Sequence, residues 1–284
     1  MIRPSDFQTM KERGERFVRV NCYDYLTAKI IDSVGIEMIL VGDSVGRNVL
    51  GYRSDHPTER TSIADMVHHT KAVLRGVTHA CVIADLPVAN GPVPPDRTVS
   101  HARRLVECGV QAVKIEGGSE MIPIIEALLA HDIPVHGTLR EDPCQPDPLA
   151  RAQRAFNDAL SLETSGCFMI TLAGLPSQVA KVITESLRIP TIGHLSGPCC
   201  DGQVQVINDL VGFVEGQPRK GVKTYANVYV EIRRAVTAFR DDVKAGVFPA
   251  AEHCSFMSET DLHAFKGYLA SNSDRRGTSH NVAA

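Results

Sequence analysis

Short apolar runs of four or five residues alternate along the chain with longer stretches in which apolar residues return every three or four positions. The first pattern predicts buried strands and the second amphipathic helices. Residues 17–20 read as a strand, and 23–34 as a helix on the spacing of Leu26, Ile30, Ile31 and Val34. Residues 38–41 form a second strand, followed by a long polar loop and a helix over 62–75. The strand 81–84 leads through a Pro-rich loop, ending at Pro95, to a helix near 99–107. Strands at 112–115, 133–136 and 168–172 are each followed by a helix, over 121–130, 149–165 and 177–186. A strand at 191–192, a helix near 201–209, a last strand near 211–214 and a closing helix over 229–245 complete the pattern.

About eight strand-helix units with no break in composition make the (β/α)8 TIM barrel the economical fold, an α/β architecture. Residues 1–266 are then one barrel domain, and the polar stretch 267–284 a disordered tail. A doubly wound open sheet is the alternative, weakened in its dinucleotide-binding form because no GxGxxG follows the first strand.

Three of the predicted strands run directly into an acid. Met38-Ile39-Leu40-Val41 ends in Gly42-Asp43-Ser44, Ala80 to Ala84 in Asp85, and Ala112 to Ile115 in Glu116-Gly117-Gly118. The carboxyl ends of strands are where α/β proteins place their chemistry. A single Asp after a strand commonly caps a helix or closes a turn. Three acids at three strand ends instead suggest a shared site. Lys114 lies within an apolar strand two positions before Glu116, hence on the same face, and invites a carboxylate partner. A purely structural ion pair is the other reading of that lysine.

Composition narrows the partners. The net charge of -3 and a pI near 6.4 supply no basic field for nucleic acid, and no run of like charge suits a membrane surface. No apolar stretch reaches the roughly 18 residues that span a bilayer, and residues 1–10 lack the apolar core of a signal peptide. A cytoplasmic protein with a small-molecule partner is the expectation. The eight cysteines are scattered without a CxxC pair and read as reduced core residues, the adjacent Cys199-Cys200 being the one exception to watch. His68 and His69 are neighbours on a helix, do not share a face, and read as structural.

Seven segments, in this order, carry a resemblance: Cys22-Tyr23-Asp24-Tyr25, Leu40-Val41-Gly42-Asp43-Ser44, His69-Thr70-Lys71-Ala72-Val73 before Arg75-Gly76, Ala84-Asp85-Leu86-Pro87, Val113-Lys114-Ile115-Glu116-Gly117-Gly118, Asp201-Gly202-Gln203 and Gly246-Val247-Phe248-Pro249. Together they resemble the ketopantoate hydroxymethyltransferase family, over about 17–256. The resemblance implies a TIM barrel of the phosphoenolpyruvate-binding type, a Mg2+ site and a homo-oligomer, a decamer in one form. It further implies transfer of a hydroxymethyl group from 5,10-methylenetetrahydrofolate to the carbon beside the carbonyl of a 2-oxo acid. On that likeness Asp43 and Asp85 are metal ligands, with Glu116 at the metal directly or through water. Gly42, Ser44 and Lys114 hold the substrate, Lys114 also serving catalysis. Hard Mg2+ prefers oxygen ligands and polarises a carbonyl, and a lysine suits a developing enolate.

The second half departs from the family pattern. Gly-His-Leu-Gly-Leu-Thr-Pro becomes Gly137-Thr138-Leu139-Arg140-Glu141-Asp142-Pro143, so Thr138 stands where the pattern has an active-site His. Leu-Glu-Cys-Val-Pro becomes Leu172-Ala173-Gly174-Leu175-Pro176, so the general-base Glu has become Ala173. Ile-Gly-Ile-Gly-Ala-Gly becomes Ile192-Gly193-His194-Leu195-Ser196-Gly197. His194 arrives as the Glu disappears and is the candidate acid-base residue, with His136 and Glu141 behind it. The readings are hydroxymethyl transfer on a non-standard substrate, carbon-carbon cleavage or hydrolysis of a related 2-oxo acid, and a non-catalytic relative. A cluster of buried acids, costly without a ligand, argues against the last.

Overall fold

The computed structural model describes residues 1–52, 60–87, 94–142, 144–216 and 220–276. Parts of the two expected loops, Pro143 and the last residues of the expected tail lie outside the described residues. Eight strands, β1 (Phe17–Asn21), β2 (Met38–Val41), β3 (Cys81–Asp85), β4 (Ala112–Glu116), β5 (Val135–Arg140), β6 (Met169–Ala173), β7 (Thr191–His194) and β8 (Gly202–Val206), pair in parallel in chain order, and β8 closes onto β1. Helix α1 (Asp6–Glu12) precedes β1 and α2 (Tyr25–Ser33) follows it; α3 (Val45–Asn48) and α4 (Ile63–Leu74) follow β2. Then α5 (Pro95–Val106), α6 (Ile122–Leu129), α7 (Pro148–Thr164) and α8 (Ser177–Ser186) follow β3 to β6 in turn, and α9 (Ile207–Leu210) follows β8. The barrel expectation is met.

Alternate residues of each strand face inward, and the inward set changes character with height. At the amino-terminal end Phe17, Met38, Cys81, Ala112, Met169 and Ile192 form an apolar plug, distinct from the larger core between sheet and helices. Phe7 of α1 closes it from below, its ring edge-on to Phe17 at 5.0 Å. A Cβ on Gly202 would lie 2.4 Å from the Phe17 ring, so only glycine lets β8 pass that ring. Above the plug the interior turns polar with Arg19, His136 and Thr171, all buried. That change of lining is what opens a site at the upper end.

Two expectations fail at the closing strand. Residues 201–209, expected as a helix, are β8 plus the short α9, and 211–214, expected as a strand, follow α9 as a turn with Phe213 and Val214 exposed. Gln203-Val204-Gln205-Val206 alternates with period two, and its outward side carries glutamines because only the four-residue α9 follows it within the barrel unit. The barrel unit ends at Asn227, and a second compact unit begins at Val228. That second unit holds α10 (Val228–Ala245) and α11 (Glu259–Arg276), so the boundary expected at 266/267 falls inside a helix. The apolar residues of α11 are too few among its polar ones to announce a helix by spacing. Among the described residues no helix is long and apolar enough to cross a membrane.

Candidate active site

The parallel register brings the strand-end acids together. Asp85, the last residue of β3, is the register partner of Lys114 on β4, and Lys114 Nζ lies 2.6 Å from Asp85 Oδ1 with both side chains buried. The other oxygen, Oδ2, accepts the backbone N–H of Asp43 at 3.0 Å. Asp85 thus ties the end of β2 to the middle of β4. The Asp43 carboxyl is pushed up to about 7, first by burial and then by the neighbouring Asp85 charge, with Lys114 pulling the other way. Its carbonyl accepts the Thr61 hydroxyl at 2.8 Å, which pins the turn.

Ser44 is held from the first strand-helix turn. Its Oγ is 2.8 Å from the Tyr23 hydroxyl, which accepts from Asn48 Nδ2 at 2.9 Å. His69 Nδ1 donates to the Tyr23 carbonyl at 2.8 Å, so the helix histidine expected to be structural supports the residue that orients Ser44. A Cβ on Gly42 would lie 2.9 Å from Ser44 Oγ and 3.5 Å from Asp85 Oδ2. Any side chain there would fill the space between the two.

Glu116 behaves differently from the other two acids. Arg140, at the end of β5, donates Nε to Glu116 Oε1 at 2.7 Å and a terminal nitrogen to Oε2 at 2.9 Å. Burial raises the Glu116 carboxyl, but the Arg140 hydrogen bonds outweigh it and hold the group below its usual value. Arg140 occupies the position of a glycine in the family pattern quoted above. Its fork engages both oxygens of Glu116, the residue that the resemblance places at the metal directly or through water. Among the described residues no three His, Cys, Asp or Glu side chains converge as a ligand set. Asp43 and Asp85 do suit a hard cation, since Mg2+ commonly binds one or two carboxylates and keeps several waters.

The other half of the rim is built from β5 to β7. Register places Thr138 beside Glu116, and sets Arg140, Ala173 and His194 side by side. His194 therefore faces the small Ala173, and its charge is among those that lower the Glu116 carboxyl. Its carbonyl accepts from Gly174 N–H at 2.9 Å, and buried Ser196 donates to the Leu172 carbonyl at 2.8 Å, fixing the turn. Leu195, next in the chain, takes φ of 59°, a left-handed conformation that a side chain of that size adopts only under constraint.

Asp43, Ser44, Asp85, Lys114, Glu116 and His194 all line one cavity of about 160 Å3. Arg19, Arg47, Thr138 and Arg140 line it too, and sequence reasoning passed over the three arginines in this role. Arg19 sits in an apolar strand, where inward charge was the available signal. His136 does not line the cavity: it is buried below, and burial with Arg19 and Lys114 holds it well below its usual value. Glu141 faces Arg151 at 3.3 Å, on a neighbouring pocket. Cys200 is buried beside Thr184 and Thr191, at the start of β7, its thiol pushed up by burial, which leaves the adjacent cysteine pair no part in the cavity.

A family model described as ketopantoate hydroxymethyltransferase matches residues 1–251. The 3-methyl-2-oxobutanoate hydroxymethyltransferase of Chloroflexus aurantiacus is 42% identical over 271 residues, 92% of this chain and 95% of its own. That of Acetivibrio thermocellus is 42% identical over 260 residues, 88% and 91% of the two chains. Among solved structures, phosphonopyruvate hydrolase with oxalate and Mg++ aligns at a TM-score of 0.57 and 14% identity, covering 96% of this chain and 99% of that one. A 2,3-dimethylmalate lyase of the PEP mutase/isocitrate lyase superfamily aligns at 0.54 and 17%, covering 98% and 100%. These two share the barrel; the sequence relatives and the strand-end residues go further, and the chain belongs to the ketopantoate hydroxymethyltransferase family.

Proposed function

We propose that the protein activates a small 2-oxo acid and joins a one-carbon unit to the carbon beside its carbonyl, the reaction for which its relatives are named, with a rearranged acid-base group and a non-standard substrate. The observation that carries this reading is the convergence of Asp43, Ser44, Asp85 and Lys114 on one cavity at the carboxyl ends of three adjacent strands. Asp43 and Asp85 would hold a divalent cation such as Mg2+, whose chemistry there is Lewis-acid polarisation of the keto group. Ser44, oriented by Tyr23, and Lys114 bind the substrate carboxylate and keto oxygen. Lys114 also places positive charge where the enolate forms.

Ala173 accepts no proton, so deprotonation needs another group. His194, its register neighbour on the cavity wall, is the acid-base residue in this reading. General-base help is worth about 10²–10⁴-fold. His194→Ala should therefore slow turnover by at least about 100-fold, and an unchanged rate would remove His194 from the chemistry. A second pocket of about 290 Å3 shares Glu116 and Arg140 with the first, and in this reading it admits the one-carbon donor, 5,10-methylenetetrahydrofolate. Homo-oligomer formation is supported by α10, whose Ile232, Val236, Phe239 and Val243 form an exposed apolar stripe at helical spacing.

The test supplies 3-methyl-2-oxobutanoate with Mg2+ in deuterated water and follows exchange of its adjacent proton by NMR, with and without methylenetetrahydrofolate. Exchange together with ketopantoate formation establishes the family reaction. Exchange without product favours the second reading, carbon-carbon cleavage or another acceptor, which Ala173 in place of the pattern's Glu makes specific. No exchange with any 2-oxo acid sinks the enolate mechanism.

A further inference from the structure

Arg19 stands on the inner face of β1, 2% exposed, between the apolar plug and the cavity it lines. One terminal nitrogen donates to Thr171 Oγ1 at 2.9 Å and lies 3.3 Å from His136 Nε2, while Nε has no partner. Thr171 Oγ1 is also 2.7 Å from His136 Nε2. A guanidinium nitrogen can only donate, so the Nε2 that faces it accepts, from it and from the Thr171 hydroxyl; the ring proton then sits on Nδ1 and the histidine is neutral. Both partners of this buried guanidinium thus carry no charge.

The nearby acids are committed elsewhere. Asp85 is bonded to Lys114, Glu116 to Arg140, and Asp43 lies against Asp85. A buried cation with no acid hydrogen-bonded to it is costly: burial pulls Arg19 down to about 10, and the Asp85 charge offsets this only in part. Such a group is a receptor for an anion brought by a ligand. A second, independent feature points the same way: Thr138, 2% exposed and part of the same lining, has its Oγ1 buried with no partner. Around the cavity Arg19, Arg47, Lys114 and Arg140 face Asp43, Asp85 and Glu116, so the cations outnumber the acids. Ser44 and Lys114 already account for one carboxylate and its keto oxygen, which leaves Arg19 and Thr138 over.

We infer that the 2-oxo acid taken by this site carries a second acidic group, received by Arg19 with the Thr138 hydroxyl, so that the substrate class is the short 2-oxo dicarboxylates. This rests on the reading of the cavity as a 2-oxo acid site and adds which acid it selects. The small volume, about 160 Å3, fits a short chain. Thr138 and Ala173, both small, leave the room for the added group.

The experiment is calorimetric binding to the full chain in Mg2+, with acids matched in length: oxaloacetate against 2-oxobutanoate, and 2-oxoglutarate against 2-oxopentanoate. The wild-type protein should bind at least one diacid at least about tenfold tighter than its monoacid, a difference of about 1.4 kcal/mol. Arg19→Met should bring that ratio within about twofold of one, and Arg19→Lys, which keeps the cation, should retain a preference for the diacid. Equal or weaker binding of both diacids by the wild-type protein overturns the inference even if the methionine variant fails to fold. So does a tenfold preference that survives in a folded Arg19→Met. If neither monoacids nor diacids bind, the 2-oxo acid reading itself falls. If the monoacids bind and the diacids bind no better, that reading stands and only the role of Arg19 is lost.

Discussion

The rim of the barrel divides into two arcs that solve different problems. From β2 to β4 the inward residues pair with one another across neighbouring strands: Asp85 with Lys114, and Asp85 again with the Asp43 amide. Those contacts are buried, so the arc keeps its shape only if each partner is present. From β5 to β7 the inward residues at the rim are Thr138, Arg140, Ala173 and His194, and Arg140 reaches back to pair with Glu116. This second arc has a small residue at its centre and a half-exposed ion pair at its edge. The first arc is a preformed receptor and the second a surface that changes cheaply. In the proposed function, substrate activation belongs to the first arc and the choice of what is activated and attacked to the second.

Removing Asp85 is the harshest way to probe that contrast. Asp85→Ala leaves Lys114 buried without its partner and frees the Asp43 amide, and breaking a buried pair in this manner costs about 3–5 kcal/mol. The urea midpoint should fall accordingly and Mg2+ binding by calorimetry should disappear. Replacing both members, Asp85→Asn with Lys114→Met, should recover most of the stability but none of the metal binding. A midpoint that hardly moves in the single variant would mean that the first arc is no more constrained than the second.

Ala173→Glu works on the other arc. A carboxylate there would stand between Arg140 and His194 in register, at the position of the general base in the family pattern. Turnover of 3-methyl-2-oxobutanoate with methylenetetrahydrofolate should rise by about 100-fold, the lower end of what a general base contributes. Stability should change little, since the carboxylate would gain Arg140 and His194 as neighbours. No gain in rate would show that the difference between the arcs lies in substrate selection alone and that His194 already does the work.

Much of this arrangement was legible in the chain. Strands β2 and β3 are apolar up to the acids at their ends, and β4 is broken only by the inward Lys114, because helices cover their outer side while their inner side meets the plug. The site acids were legible for the same reason, as polar residues stopping an apolar run. Two things were not. Strand β8 has glutamines on one side, so the run that would announce a buried strand is broken. The pairing of Glu116 with Arg140 depends on the stagger of the closed barrel, which brings residues 24 apart into one ion pair. No local pattern encodes that, and Arg19 likewise gains its meaning only when the barrel closes around it.

The smallest predicted effect separates the two ends of the barrel rather than the two arcs. Asp32 of α2 accepts the backbone N–H groups of Thr78 at 2.8 Å, His79 at 3.0 Å and Ala80 at 2.8 Å, and the Thr78 hydroxyl at 3.0 Å. It thereby braces the loop that enters β3 at the end remote from the cavity. Burial raises its carboxyl, but those hydrogen bonds outweigh burial and leave it below the ordinary value. A carboxyl depressed in the folded state binds its proton more readily unfolded. Its contribution is therefore complete above the unfolded pKa of about 4 and is lost as pH falls through the lower folded value. Asp32→Asn should cost about 1–3 kcal/mol at pH 7, and the gap to wild type should narrow below about pH 4. Because the brace sits at the stabilising end of the barrel, proton exchange by the folded variant should match wild type. A loss of exchange larger than the unfolded fraction accounts for would show that the lower end of β3 also sets where Asp85 stands.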